Sequence, residues 1–302
     1  MSASRGLVVR SQSGFYEVET EQGRVTARLR GRLKRGPQEG DIVALGDRVR
    51  LSGLQDGEAM IEEVEPRERA LVRLAPRPQG LYEQVIIANP DQAFFVFSCA
   101  DPEPRMRMLD RFLVIAEQQD IPAGIVASKV DLVGWWRARR MFGHYAKIGY
   151  PLFYTSAIKK SGLGKLRKAL KNKVTVLAGP SGTGKSSLMN VVQPGLDLRI
   201  GRIRESSRKG RHTTVERAMV PLKMGGYVAD TPGLKALALW NIEAEELDGY
   251  FPEIAPQVTH CEYGDCTHMD EPGCAVIAAV ERGKIHPDRY ESYVRLRLGQ
   301  ED

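Results

Sequence analysis

The stretch LAGPSGTGKSSLMN, residues 177–190, contains the full pattern G-x-x-x-x-G-K-[ST] at Gly179, Gly184, Lys185 and Ser186. Each residue type serves phosphate binding. Glycines at 179, 182 and 184, with Pro180, Ser181 and Thr183 between them, let backbone N–H groups wrap a β-phosphate. Lys185 neutralises β- and γ-oxygens, and the hydroxyl of Ser186, followed by Ser187, is suited to Mg²⁺. A helix beginning at Ser186 adds its positive N-terminal end. The β-branched run KVTVLAG before the loop and the helix-forming residues after it supply the strand–loop–helix setting that the chemistry needs. The loop nevertheless starts past the middle of a 302-residue chain.

Working upstream, strand-like and helix-like segments alternate: AFFVFSCA, RMRMLDRFLVIAEQQ, AGIVAS, WWRARRMFGHYAKI, PLFYTSA and LGKLRKALK. Such alternation predicts a parallel sheet covered on both faces. After AGIVA comes SKVD, Ser128–Lys129–Val130–Asp131, which resembles the guanine-specifying N-K-x-D element. A carboxylate at 131 accepts from guanine N1 and N2, which adenine does not offer. Ser128 stands where that element has Asn, so its contact to the base or the phosphate loop is expected to be lost or shortened. The next strand ends in TSA, where Ser156 and Ala157 resemble the loop that sets a backbone amide on guanine O6.

Downstream, DTPG at 230–233 resembles the D-x-x-G switch, with Asp230 holding Mg²⁺ through water and the Gly233 amide sensing a γ-phosphate. Between the two, RKGRHTT offers Thr213 and Thr214, one of which could bring its hydroxyl to the metal; Ser186, Thr213 and Asp230 are the expected magnesium set. The elements run base, base, phosphate, switch, switch, whereas an ordinary GTPase runs phosphate, switch, switch, base, base. A sheet depends on spatial neighbours more than on covalent order. A circularly permuted α/β P-loop GTPase domain over residues 83–240 is therefore expected.

Residues 1–70 read as short strands broken by glycines, the pattern of a small antiparallel barrel of the oligonucleotide/oligosaccharide-binding (OB) type. In RLRGRLKR, a two-residue period would set Arg28, Arg30, Arg32 and Lys34 on one face of a strand, a ribbon suited to a nucleic-acid backbone. Phe15 and Tyr16 could stack on bases or fill the barrel. Residues 71–82, rich in proline and arginine, read as a linker. Residues 241–302 read as mostly helical around Cys261, Cys266, His268 and Cys274, spaced C-x₄-C-x-H-x₅-C. Three thiolates and an imidazole form a closed tetrahedral set for structural Zn²⁺, with His260 an alternative imidazole.

At 42% hydrophobic and 27% charged, the composition is that of a globular protein and excludes a disordered chain. The longest apolar runs are strand-sized and no secretory signal opens the chain, so a cytoplasmic protein without a membrane partner is expected. A net charge of +6 favours polyanionic partners.

The barrel, the permuted motifs SKVD, TSA, GPSGTGKSS, GRHTT and DTPG, and the Cys/His cluster together resemble the RsgA/YjeQ family of ribosome small subunit-dependent GTPases. The resemblance spans nearly the whole chain. It implies a multidomain enzyme that hydrolyses GTP to GDP in late maturation of the small (30S) subunit, contacts its 16S rRNA and holds one zinc ion through His268 rather than His260. Nothing in the sequence suggests an obligate dimer, so a monomer is expected. Leu234 follows Gly233 where Ras-like enzymes carry a water-orienting glutamine, and an apolar residue cannot position water. His212, in the loop that resembles the family's G-R-H-T-T, is the expected catalytic group beside Lys185. Arg199, Arg202, Arg204, Arg208, Lys209 and Arg211 face one acid, Glu205, so this segment is expected to order on RNA phosphates and intrinsic turnover to be slow. Because DTPGL runs directly into residues 235–302, a nucleotide-driven lever on the zinc domain is expected. Two rivals have other chemistry. A small-molecule P-loop kinase conflicts with Asp131 and the TSA loop, and a non-hydrolysing, GTP-gated RNA-binding module would bind without turnover.

Overall fold

The computed structural model describes residues 4–34, 40–55, 57–77, 80–196, 217–230 and 242–300. These divide into two compact units, residues 1–93, 163–178 and 185–238 in the first and residues 94–162, 179–184 and 239–302 in the second.

The first unit contains a closed five-strand barrel. Its strands are β1 (Ser4–Gln12), β2 (Phe15–Thr20), β3 (Gly23–Leu29), β4 (Arg48–Gln55) and β5 (Glu58–Val64). They are ordered β1-β2-β3-β5-β4 and closed by β1 on β4. All pairings are antiparallel except β3 with β5. Alternation along β3 buries Val25, Ala27 and Leu29, which join Val8, Val18, Val49, Leu51 and Ile61 in the barrel core.

Two expectations for this region are corrected. RLRGRLKR is not one strand, because β3 ends at Leu29 and Gly31–Lys34 forms a 3-10 turn that tucks Leu33 against the core. The four cations therefore do not share a strand face. Residues 71–82 are not a linker either: β6 (Ala70–Arg77) and β7 (Gly80–Ala88) pair as an antiparallel ribbon. A half-buried carboxylate fastens it, and an ion pair to a buried carboxylate lies just before it. Asp41 accepts from the Tyr82 hydroxyl at 2.9 Å and the Val85 N–H at 3.0 Å. The wholly buried Asp47 takes a two-pronged bond from Arg67 at 2.8 and 2.9 Å.

The same unit holds β11 (Lys173–Ala178), β12 (Arg217–Pro221) and β13 (Gly226–Asp230). β13 runs parallel to β11 and antiparallel to β12, and β12 pairs with β1 of the barrel. Helices α3 (Leu163–Leu170) and α4 (Lys185–Val192) bury Leu163, Leu166 and Leu170, and Leu188, Met189 and Val192, at helical spacing.

The second unit takes in β8 (Gln92–Ser98) from Phe94 onward, β9 (Ala123–Ser128) and β10 (Leu152–Tyr154), ordered β10-β9-β8 with β10 parallel to β9. Strands β8 and β9 are almost wholly buried, as expected where helices cover both faces. Between these strands lie α1 (Met106–Gln118) and α2 (Trp135–Ile148). α2 buries Ala138, Phe142 and Tyr145 and ends at Gly149, which adopts a left-handed φ of 113°.

The described regular elements of the C-terminal lobe are all helical: α5 (Ala255–Val258), α6 (Ala275–Glu281) and α7 (Pro287–Arg297), with a 3-10 turn at Leu247–Tyr250. Its apolar core includes Phe251, Ile254, Val276, Ala279 and Tyr293 and takes in Val114 of α1. A buried polar network also ties α7 to α1. Arg289 grips Glu253 at 2.6 and 3.2 Å and Asp110 at 2.8 Å, and Asp110 accepts further from Tyr145 at 2.7 Å and from Ser292. His286, which caps α7, stacks on His144 of α2 with ring centroids 4.2 Å apart. Among the described residues no helix is long and apolar enough to cross a membrane.

Candidate guanine-nucleotide and metal sites

Residues 179–184 bend sharply, with Gly179, Gly182 and Gly184 at φ 143°, 83° and 87°. A Cβ at Gly179 would stand 2.2 Å from the Val96 carbonyl oxygen, so only glycine lets the loop lie this close to β8. The Thr183 hydroxyl donates to the Pro180 carbonyl at 3.0 Å and closes the turn.

Ser128 ends β9, and its hydroxyl donates to the Thr183 carbonyl at 2.6 Å; the Phe97 carbonyl lies 3.3 Å away. The contact that the Asn-to-Ser change put in question is thus kept by the shorter side chain. Lys129 takes a left-handed φ of 56°, lays its Cε 3.8 Å from where a Cβ at Gly184 would sit, and donates from Nζ to the Asp101 carbonyl. Asp131 lies within the 3-10 turn Val130–Leu132 that follows it. Burial, with the Asp131 carboxylate nearby, pushes the Cys99 thiol up to about 12, so it stays protonated.

The loop after β10 lies against this one. Val130 N–H donates to the Thr155 carbonyl at 3.2 Å, and Thr155 N–H to the Ala127 carbonyl at 2.8 Å. Ser156 and Ser161 exchange backbone bonds of 3.1 Å, and the Ser156 hydroxyl accepts from Lys159 N–H at 3.0 Å. That hydroxyl therefore shapes the turn that carries Ala157. Phosphate loop, Ser128–Asp131 and Thr155–Ala157 are thus one hydrogen-bonded constellation of backbone amides and one carboxylate, which suits an anionic ligand with a donor-bearing base edge.

Lys185, Ser186 and Ser187 open α4, and Asp230 ends β13. His212, Thr213, Thr214, Gly233 and Leu234, and the basic run from Arg199 to Arg211, lie outside the described residues, as does the DTPGL connection to the C-terminal lobe.

In the lobe, the ligand atoms of Cys261, Cys266, His268 and Cys274 all lie within 4.8 Å of one another. His268 Nδ1 faces the thiols, 3.5 Å from both Cys261 and Cys274, and its Nε2 meets Asp248 at 3.2 Å. An aspartate behind a ligating imidazole fixes its tautomer and orientation. His260 is exposed and pairs with Thr259 instead, so His268 is the imidazole of the set. Glu271 shapes the intervening loop by accepting from Thr267 N–H at 2.6 Å and Met269 N–H at 3.0 Å. Burial pushes the Cys266 thiol up to about 12, and a divalent cation is what would bring such a set to thiolates. The group can hold a metal ion. Asp248 and Glu271 carry no signal in the sequence, because their partners are set by the fold.

On the barrel, Arg30 and Arg32 both pair with Glu62, the latter at 3.0 Å, while Arg28 lies 4.5 Å over the Phe15 ring. Tyr16 packs against the core, and Phe15 is exposed. The Lys34 side chain is outside the described set.

The family model described as RsgA GTPase matches residues 64–240, and the RsgA N-terminal domain matches residues 5–61. A protein of Gemmatimonas aurantiaca named small ribosomal subunit biogenesis GTPase RsgA is 46% identical, covering 98% of this chain and 97% of its own. The one of Moorella thermoacetica bearing the same name is 41% identical over 96% and 94%. The crystal structure of YjeQ from Thermotoga maritima superposes with a TM-score of 0.80 at 35% identity, covering 99% of each chain. YloQ, described as a circularly permuted GTPase, gives 0.75 at 32% identity, covering 99% of this chain and 95% of its own. The motif order, the guanine-side constellation and these matches over the whole length agree, and the chain belongs to the RsgA GTPase family.

Proposed function

We propose that this protein hydrolyses GTP in late maturation of the small ribosomal subunit, in the cytoplasm and as a monomer, with turnover stimulated by that subunit and its 16S rRNA. The carrying observation is the bond from Ser128 to the Thr183 carbonyl, which joins the base-reading loop to the phosphate loop. In this reading Asp131 accepts from guanine N1 and N2, the Ala157 N–H donates to O6, and Lys129 covers the nucleotide. The amides of 179–184 and Lys185 hold the phosphates, as positioning and electrostatics dominate phosphoryl transfer. Magnesium, when bound, would neutralise β- and γ-oxygens, with Ser186, Thr213 and Asp230 as its residues. His212 orients the attacking water. The Cys₃His set suits structural zinc, and the barrel cations Arg28, Arg30, Arg32 and Lys34 together with the lobe would face rRNA.

The test is GTP turnover with and without purified small subunits, with ATP as competitor. We expect slow intrinsic hydrolysis, strong stimulation by subunits that His212→Ala abolishes with nucleotide binding intact, and no competition by ATP. Effective competition by ATP, or no stimulation, would refute the reading.

A further inference from the structure

From Leu132 to Leu196 the chain has no aspartate or glutamate, yet it has twelve lysines and arginines. Helix α2 lies near the start of this span and carries Arg137, Arg139, Arg140 and Lys147. All four are exposed, and among the described residues none of them forms an ion pair. A helix face that bears only unpaired cations repels itself and gains nothing for folding.

The same region carries apolar surface that folding has not buried. Trp136 is 85% exposed, Ile158 79%, Leu132 51% and Trp135 44%, four of the seven large hydrophobics exposed among the described residues. Trp135 has a structural role, because it packs on Tyr154 of the edge strand β10 with centroids 6.3 Å apart. Trp136 has none. Helical spacing sets Arg139 and Arg140, three and four residues on, beside its indole on the outer face, opposite the buried Ala138, Phe142 and Tyr145. A bare indole flanked by guanidiniums is the combination that holds unpaired RNA: the ring stacks on a base and the cations take neighbouring phosphates. An apolar protein partner would bury the indole but leave the arginines desolvated and unpaired, which is costly.

We propose that this outer face of α2, centred on Trp136 with Arg137, Arg139 and Arg140, docks an unpaired, base-exposing stretch of ribosomal RNA. The inference rests on the ribosomal reading given above and adds a contact surface outside the barrel and the C-terminal lobe.

The full-length protein is tested for co-sedimentation with purified small subunits across a salt series. Trp136→Ala should weaken binding about tenfold with little change in salt dependence. Replacing Arg137, Arg139 and Arg140 together by Gln should lower the slope of log affinity against log salt by about two. Guanine-nucleotide binding and subunit-free turnover should match wild type in both, which shows that they fold. If wild type binds subunits and both variants bind equally well, the proposal is overturned. A photo-crosslinking residue at 136 should label RNA, and labelling of a ribosomal protein alone overturns the RNA occupant. If wild type does not bind subunits, the ribosomal reading has failed, and the α2 surface is judged separately by Trp136 fluorescence in a Trp135→Phe/Trp240→Phe background. Quenching by single-stranded but not duplex RNA supports it, and no quenching overturns it.

Discussion

The guanine-side loops and the C-terminal lobe are both assembled from segments distant in sequence, and they use their polar groups in opposite ways. In the lobe the central polar side chains answer one another: His268 lies between two thiols and Asp248, and Arg289 between Asp110 and Glu253. In the loops the backbone carries the structure through Val130–Thr155, Thr155–Ala127 and Ser156–Ser161, while the Asp131 carboxylate is not needed for any of these bonds. A region whose polar groups are consumed internally is a structural device. One that holds its shape without them keeps them for a ligand.

The contrast predicts large stability effects in the lobe and large specificity effects in the loops. On the zinc reading proposed above, chelation, or Cys274→Ser, should melt the lobe, because a structural zinc contributes on the order of 10 kcal/mol to a small domain; loss of α6 and α7 helicity on circular dichroism would register it. Arg289→Met strands two buried carboxylates and should cost about 3–5 kcal/mol, read as a lowered denaturant midpoint. Burial already raises the Asp110 carboxyl despite the Arg289 charge, so that cost should be smaller in mild acid, where protonation relieves the orphaned group. Asp131→Asn should leave stability unchanged and shift preference from GTP to xanthosine triphosphate by roughly a hundredfold or more in affinity. Ser128→Ala should be mildest, removing one hydrogen bond of about 1 kcal/mol and weakening nucleotide binding about fivefold. If Ser128→Ala proved as damaging as Asp131→Asn, the division between scaffold and ligand groups would fail.

The sequence made the chemistry legible because phosphate, guanine and metal recognition depend on residue types at short fixed spacings. Gly179 to Ser186, Ser128 to Asp131 and the Cys₃His set could all be placed without a structure. Features set by long-range partners could not. The β6–β7 ribbon reads as a linker because part of what orders it is Asp41, in a different segment. The Arg28–Lys34 run read as a strand because the alternation is real, but Leu33 gains more by packing inward than the chain does by extending. Arg289 and Asp110 are 179 residues apart and show no pattern at all.

The pairing of Arg10 and Ser11 on β1 with Ala218 and Arg217 on β12 ties the barrel to a neighbouring strand. In the chain Arg217 follows His212 by five residues. β12 also pairs with β13, and β13 with β11, the strand that runs into the phosphate loop. The barrel wall and that strand are therefore parts of one hydrogen-bonded sheet.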